Sequence, residues 1–396
     1  MVSQKMLELG QHRSVIRDIF EYGRQRREAV GAENVYDFSL GNPSVPAPPV
    51  VTDTLRELLE STPAEALHAY TSSAGDPAVR EAIAGYVRRS FGFDAQSEYI
   101  YMTAGAAASL AVTLNALTEP GDEVIAFAPY FPEYRVFAEA AGAAFVPVAC
   151  TPGTFQIDAA ALESAVTART KAVIVNSPNN PTGAVLNRES IAALCGVLTQ
   201  KAEEYGHPIY LIADEPYREL VYDGAEVPYL PLFYKNTVVC YSFSKSLSLP
   251  GERIGYILVS PQAEDAAEVF DAVNGAGRAL GYVCAPSLFQ QLVARCLGQT
   301  ADLSVYAENR QLLYRELTAC GFDVVRPDGA FYLFIKAPDG DAAAFCEAAR
   351  QFDLLLVPSD SFGCPGYARL AYCVTTEQIR RSLPAFRRLA ALYTGE

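Results

Sequence analysis

Four short apolar runs, each next to polar or hydroxyl-bearing residues, constrain this chain more than any other feature: "KAVIVNSP", "IYLIADEPY", "TVVCYSFS" and "RIGYILV". Runs of about four to eight apolar residues that do not alternate with polar ones suit strands buried on both faces. Between the first two lies the helical pattern "RESIAALCGVLTQKAEEY". Strands alternating with helices predict an α/β unit with a mostly parallel sheet between helices. Upstream, "DEVIAFAPY" reads as another buried strand and "YMTAGAAASLAVTLNAL" as a turn opening into an alanine-rich helix.

At 396 residues the chain exceeds an ordinary single domain, which leads to a large domain plus a smaller one. The N-terminus reads as helical to about residue 30, then "VYDFSLGNPSVPAPP" is a short extended piece running into a proline-rich connector. In "GDPAVREAIAGYVRRSFG", Asp76 caps a helix, Pro77 fits its first turn, and Val79, Ile83, Tyr86 and Val87 form its apolar stripe. From about residue 286 long helical patterns precede "GFDVVRPDGAFYLFIKA", "LLLVPSDSFG" and "YARLAYCV", strands of a second, α+β unit. The expected division is a large domain at 48–285 and a small one built from 1–47 and 286–396.

Charge and composition narrow the partners. A formal net charge of -15 disfavours a nucleic acid, and the short basic runs "RQRRE" and "RRS" read as solvated helix faces. The nine cysteines lie apart with no C-x-x-C pair, so neither a disulfide framework nor a metal site is expected, and a reducing cytoplasm fits. The N-terminus lacks the apolar core of a signal peptide, and no window reaches bilayer length, so no membrane partner is expected. The three histidines, His12, His68 and His207, are assigned structural roles.

The chemical signal is the placement of polar residues at strand ends. Ligands of open α/β sheets bind beyond the carboxyl ends of strands, so "VNSPNNPTG", "ADEPY" and "SFSK" predict one shared site. An exposed lysine keeps its proton at neutral pH and attacks a carbonyl only when burial or a nearby charge lowers its pKa. A phosphorylated aldehyde would use the whole set. Lys245 would form a Schiff base with it, Ser242, Ser244 and Arg253 would hold the phosphate, and Asp214 would keep a ring nitrogen protonated.

With "AYTSSAGDPAVREAI", "SPNNPTG", "ADEPY", "SFSKSLSLPGERIGY" and "YARLAYC" in order, the chain resembles the class I/II aminotransferases, fold type I enzymes that use pyridoxal 5′-phosphate. The resemblance covers nearly the whole chain. It implies that Lys245 is the Schiff-base lysine and proton-transfer base, that Asp214 pairs with the pyridinium nitrogen, and that Asn180 and Tyr217 bond the cofactor's 3-oxygen. Phe131 would stack on the ring, with Tyr130 the alternative if the register slips by one. Gly105, Ala106 and Ala107 would bind phosphate through backbone amides at a helix N-terminus. Tyr70 matches a tyrosine that reaches the neighbouring subunit's phosphate, which implies a homodimer with shared sites. Arg369 would grip the substrate α-carboxylate, with a backbone contact from Gly41.

These carry-overs imply an amino acid and its 2-oxo acid as substrates. If Arg278 in "NGAGRALGYVCAPSLF" is the arginine that reads a distal carboxylate across the dimer, aspartate and glutamate are the natural donors. The turn "VPSDSFGCPG", where many relatives carry Pro-Gly, and "GAAAS", which lacks a polar side chain present in some relatives, leave an aromatic or broad specificity open. A lyase, a carbon-bond-forming enzyme on the same scaffold, or a non-catalytic regulator are the other classes.

Overall fold

The computed structural model describes residues 2–11 and 15–394, so His12 lies outside the described residues. Its centre is a seven-stranded sheet in the order Ile100–Thr103, Gly255–Val259, Thr237–Ser242, Tyr210–Asp214, Thr170–Asn176, Glu123–Ala128, Ala144–Ala149. The pairings are parallel except those made by Gly255–Val259, which runs antiparallel to both its neighbours. This is the mostly parallel sheet that the apolar runs predict.

Alternate residues of the central strands feed two cores. Val173 and Val175 pack on one face with Leu211 and Val239, while Ala172 and Ile174 pack on the other with Ile212 and Val238, as the two-residue period of a strand requires. Both faces are covered, which is why the sequence shows continuous apolar runs. The strands Ile100–Thr103 and Ala144–Ala149 have no such signature. The first is too short for a period, and the second is a partly exposed edge strand carrying Pro147.

Helix Pro77–Phe91 starts where the Asp76 carboxylate accepts the Ala78 amide at 2.8 Å, and it ends at Gly92 with φ +68°. Helix Arg188–Tyr205 uses Asn187 and Gly206 in the same roles.

A second core surrounds the four-stranded antiparallel sheet Val357–Pro358, Tyr367–Ala371, Tyr332–Lys336, Val324–Val325. The N-terminal helix Val15–Val30 packs Ile19 against Leu355, Val357 and Phe362 beside it. Two arginines of the basic run "RQRRE" fasten this helix: Arg26 pairs with Asp353 and Arg27 with Asp37, each at 2.6 Å. They have structural partners where the sequence reading gave only a solvated face. Helix Ser287–Arg295 sends Leu292 and Val293 into the large-sheet core, and only from Ala301 onward does the chain return to the second core, to which Phe38, Val45 and Tyr217 also belong. The change of core thus comes after the pattern change near residue 286, because that helix packs on helices Pro49–Ser61 and Pro77–Phe91.

Candidate active site

Strand register brings the polar endings level. Asn176 stands beside Asp214 across the parallel pairing, Asp214 beside Cys240, and Ser242 beside Gly255. Beyond these ends opens a cleft of about 340 Å³. Lys245, Asp214, Tyr217, Asn180, Ser242, Ser244, Arg253, Ala106, Ala107, Phe131, Gly41 and Arg369 all line it, and Gly105 adjoins it through Arg253. Tyr130 turns away from this cleft into a neighbouring hollow, which leaves Phe131 as the aromatic face of the pair.

Asp214 is the buried acid of the cleft. The Tyr134 hydroxyl donates to its Oδ2, Asn176 Nδ2 donates to its backbone oxygen at 2.9 Å, and Oδ1 has no partner. Burial pushes the carboxyl up to about 7; the Tyr134 hydrogen bond works against the rise and Glu215 adds to it. A cationic N–H placed at Oδ1 would satisfy the free oxygen and hold the carboxylate ionised.

Lys245 follows Ser242 by less than one helical turn, on the short helix Phe243–Ser246. Its Nζ donates to the Gly41 carbonyl at 2.7 Å. Burial lowers its pKa to about 8, with the positive charges of Arg253 and Arg369 acting in the same direction and Cys373 opposing. At that value about a tenth of the amines are neutral at pH 7. The lysine is therefore a usable nucleophile and proton acceptor, which an exposed lysine is not.

Next to it is a cup for an anion. Helix Ala106–Leu117 begins after Gly105 with no side chain capping its first amides, so those N–H groups and the positive end of the helix are available. Ser242 Oγ and Ser244 Oγ lie 2.7 Å apart. Gly105, at φ +86°, lets Arg253 approach: a Cβ there would lie 2.8 Å from Nη2. A Cβ on Gly255 would lie 2.3 Å from the Tyr241 carbonyl and 3.1 Å from Gly105 Cα, so Gly255 is demanded by close packing and Gly105 by its positive φ.

Arg369 is 2 % exposed and has no carboxylate partner among the described residues. Nη1 donates to Asn180 Oδ1 at 3.1 Å, Nη2 donates to the Ser39 carbonyl, and Nε is unpaired. Its guanidinium lies 4.7 Å from the Tyr332 ring centroid and 5.2 Å from that of Phe362. A buried cation without a counter-ion is costly, so an incoming carboxylate would find strong electrostatic complementarity. Tyr217 OH meets Tyr332 OH at 2.9 Å, and burial holds the Tyr217 phenol well above its ordinary pKa.

These groups suit a phosphorylated pyridine aldehyde: an anion cup, a carboxylate with one free oxygen, an amine of lowered basicity and an aromatic face. Sequence reasoning missed Tyr134, Asn176, Tyr332 and Cys373, whose Sγ donates to the Leu40 carbonyl at 3.6 Å. Asn176, Tyr332 and Cys373 lie within the runs "KAVIVNSP", "GFDVVRPDGAFYLFIKA" and "YARLAYC", yet only strand register and packing reveal their partners.

Two expected site residues lie elsewhere. Tyr70 is 95 % exposed, and Arg278 is exposed near the end of helix Ala266–Ala279. The segment that carries Tyr70 lies against the helix that carries Arg278, where Ser73 Oγ donates to Asn274 Oδ1 at 3.5 Å. His207 is held between the Pro208 and Ala168 carbonyls. Among the described residues no cluster of histidine, cysteine and acid side chains is arranged to hold a metal.

A parallel-sheet fold with a lysine, an acid and an anion cup at its strand ends defines an enzyme that works through a phosphorylated aldehyde cofactor. The chain belongs to the aminotransferase class I and II family, whose pattern it matches over residues 33–386. It is 32 % identical over 374 residues to the aspartate/prephenate aminotransferase of Thermus thermophilus, covering 92 % of each chain. The structure of an amino transferase from Eubacterium rectale superposes with a TM-score of 0.98 at 53 % identity, covering 100 % of this chain and 99 % of that one. The Thermus thermophilus aspartate aminotransferase with maleate gives 0.86 at 29 % identity, covering 98 % and 99 %. The protein is a pyridoxal-phosphate-dependent aminotransferase of fold type I.

Proposed function

We propose that the enzyme moves an amino group from aspartate or glutamate to a 2-oxo acid, with 2-oxoglutarate as an acceptor. The observation that supports this site most is the pair of unpartnered buried atoms at one cleft, Asp214 Oδ1 and Arg369 Nε. The first awaits a ring N–H, the second a carboxylate.

Pyridoxal phosphate, when bound, supplies an aldehyde that takes up the amino group and a ring that withdraws electrons from the substrate α-carbon. The chain's residues do the rest. Ser242, Ser244, Arg253 and the amides of Ala106 and Ala107 would hold its phosphate, Phe131 would cover the ring, Asn180 and Tyr217 would donate to the 3-oxygen, and Asp214 would keep the ring nitrogen protonated. Arg369 fixes the α-carboxylate with a contact from Gly41, which orients the α-C–H toward Lys245. Neutral Lys245 Nζ would accept that proton and return it on the far side of the transferred nitrogen, a 1,3 shift. The 2-oxo acid then leaves and a second one enters.

Tyr70, Leu280, Tyr282 and Val283 expose apolar surface around the face that carries Arg278, which supports a homodimer in which Tyr70 reaches a second copy's phosphate cup. The second core and the N-terminal helix would move together over the substrate, carrying Arg369 inward. Nine unpaired thiols support a reducing compartment, the cytoplasm; among the described residues no helix is long and apolar enough to cross a membrane. Steady-state rates over a panel of amino acids and 2-oxo acids test the reading. Parallel double-reciprocal lines with aspartate and glutamate as leading donors are expected. Release of ammonia or carbon dioxide without a 2-oxo acid acceptor would move the protein to a lyase.

A further inference from the structure

The catalytic cleft opens into a second, larger groove of about 930 Å³, and the two share Ile16, Arg17, Leu40 and Glu133. These four residues form the rim between the cleft and the groove. Among the described residues four basic side chains line the cleft: Lys245, Arg253, Arg369 and Arg17. The first three have assigned tasks with aldehyde, phosphate and α-carboxylate. Arg17 has none.

Its behaviour on its own helix is unusual. Arg24, Arg26 and Arg27 of helix Val15–Val30 are ion-paired, with Glu21 and Glu28, Asp353, and Asp37 respectively. Arg17 makes no hydrogen bond or ion pair among the described residues, although Glu21 stands four positions along, the spacing at which helical pairs form. Glu133 has no ion-pair partner among the described residues either. Packing of Ile19 and the Arg26 and Arg27 ion pairs fix the body of the helix against the second core, so its first turn is held at the rim.

We propose that Arg17 recognises the distal carboxylate of the substrate from the same subunit that contributes Lys245, with Glu133 as an opposing charge that sets how strongly dicarboxylates are preferred. A planar guanidinium suits a carboxylate, and closure over a bound ligand removes the water that screens an exposed pair. Beyond the rim the groove is lined by Leu9, Val15, Phe20, Pro132 and Val136 together with Glu21 and Ser361, so a neutral bulky side chain is the natural competitor. The proposal rests on the aminotransferase reading of this cleft.

Calorimetric binding of succinate and of 3-phenylpropionate to the cofactor-loaded enzyme tests it without turnover. Arg17→Gln should lower the ratio of succinate to phenylpropionate affinity roughly tenfold, the size of one lost charge-assisted interaction. Arg17→Lys should restore part of the ratio and Glu133→Gln should raise it. A ratio unchanged in Arg17→Gln, or lost in Arg278→Gln instead, overturns the proposal while transamination persists. A wild-type enzyme that binds succinate yet transfers no amino group from any donor overturns the reading beneath it.

Discussion

Replacing Asp214 with asparagine should strengthen the cofactor-free protein and weaken its hold on the cofactor. The carboxyl is buried, its Oδ1 is unpaired, and its pKa is raised from 3.8 to about 7 by that burial. The folded state therefore binds the proton more tightly than the unfolded chain. The resulting stability is fully present below about pH 4 and is lost as pH rises through about 7. The rise corresponds to about 4 kcal/mol, an upper bound once relaxation and water entry are allowed. Asparagine cannot ionise and escapes this loss. Urea unfolding of both cofactor-free proteins between about pH 5 and about pH 8 should show the variant's advantage growing with pH. Saturating pyridoxal phosphate should reverse the order, because the ionised carboxylate then has a cationic partner. A stability difference that is flat with pH, or one that favours the wild type more at high pH, would refute the reasoning.

Other consequences are as direct. With Lys245 at a pKa of about 8, the rate at which cofactor-free protein captures pyridoxal phosphate, followed by absorbance, should rise with pH and level off above that value; a rate already flat from pH 6 would contradict a lowered pKa. Lys245→Ala should fold and still bind the cofactor through its phosphate, but transaminate negligibly. Gly105→Ala places a methyl 2.8 Å from Arg253 Nη2 at φ +86°, so cofactor affinity should fall about tenfold or more by equilibrium titration; an unchanged affinity would dismantle the anion cup. Arg369→Lys loses the planar two-point grip on the α-carboxylate, and kcat/KM should fall about a hundredfold for every amino acid while cofactor absorbance stays intact.

Much of the site was readable because strand ends carry it. Asp214, Asn180, Ser242 and Lys245 sit where an apolar run stops or just beyond it, and that stop is visible in a single sequence. Tyr134 was not readable as the partner of Asp214, because it comes from helix Glu133–Ala140, eighty positions away in sequence, and meets the acid only through packing. The edge strand Ala144–Ala149 escaped because half-exposed residues and Pro147 break its pattern. Arg17 escaped for a different reason: helix Val15–Val30 carries four arginines, and a single sequence does not say which of them meet acids in the fold and which lines the cleft. The change of core at Ala301 also follows from the docking of helix Ser287–Arg295 and not from its composition.

The central claim is a transfer in two halves at Lys245. Cofactor-loaded enzyme mixed with excess aspartate or glutamate in the absence of any 2-oxo acid acceptor should release one 2-oxo acid per active site and then stop. The cofactor's visible absorption should be lost in step with release and regained on adding 2-oxoglutarate. Continued product release past one equivalent, or an absorption that no amino acid changes, would contradict the account.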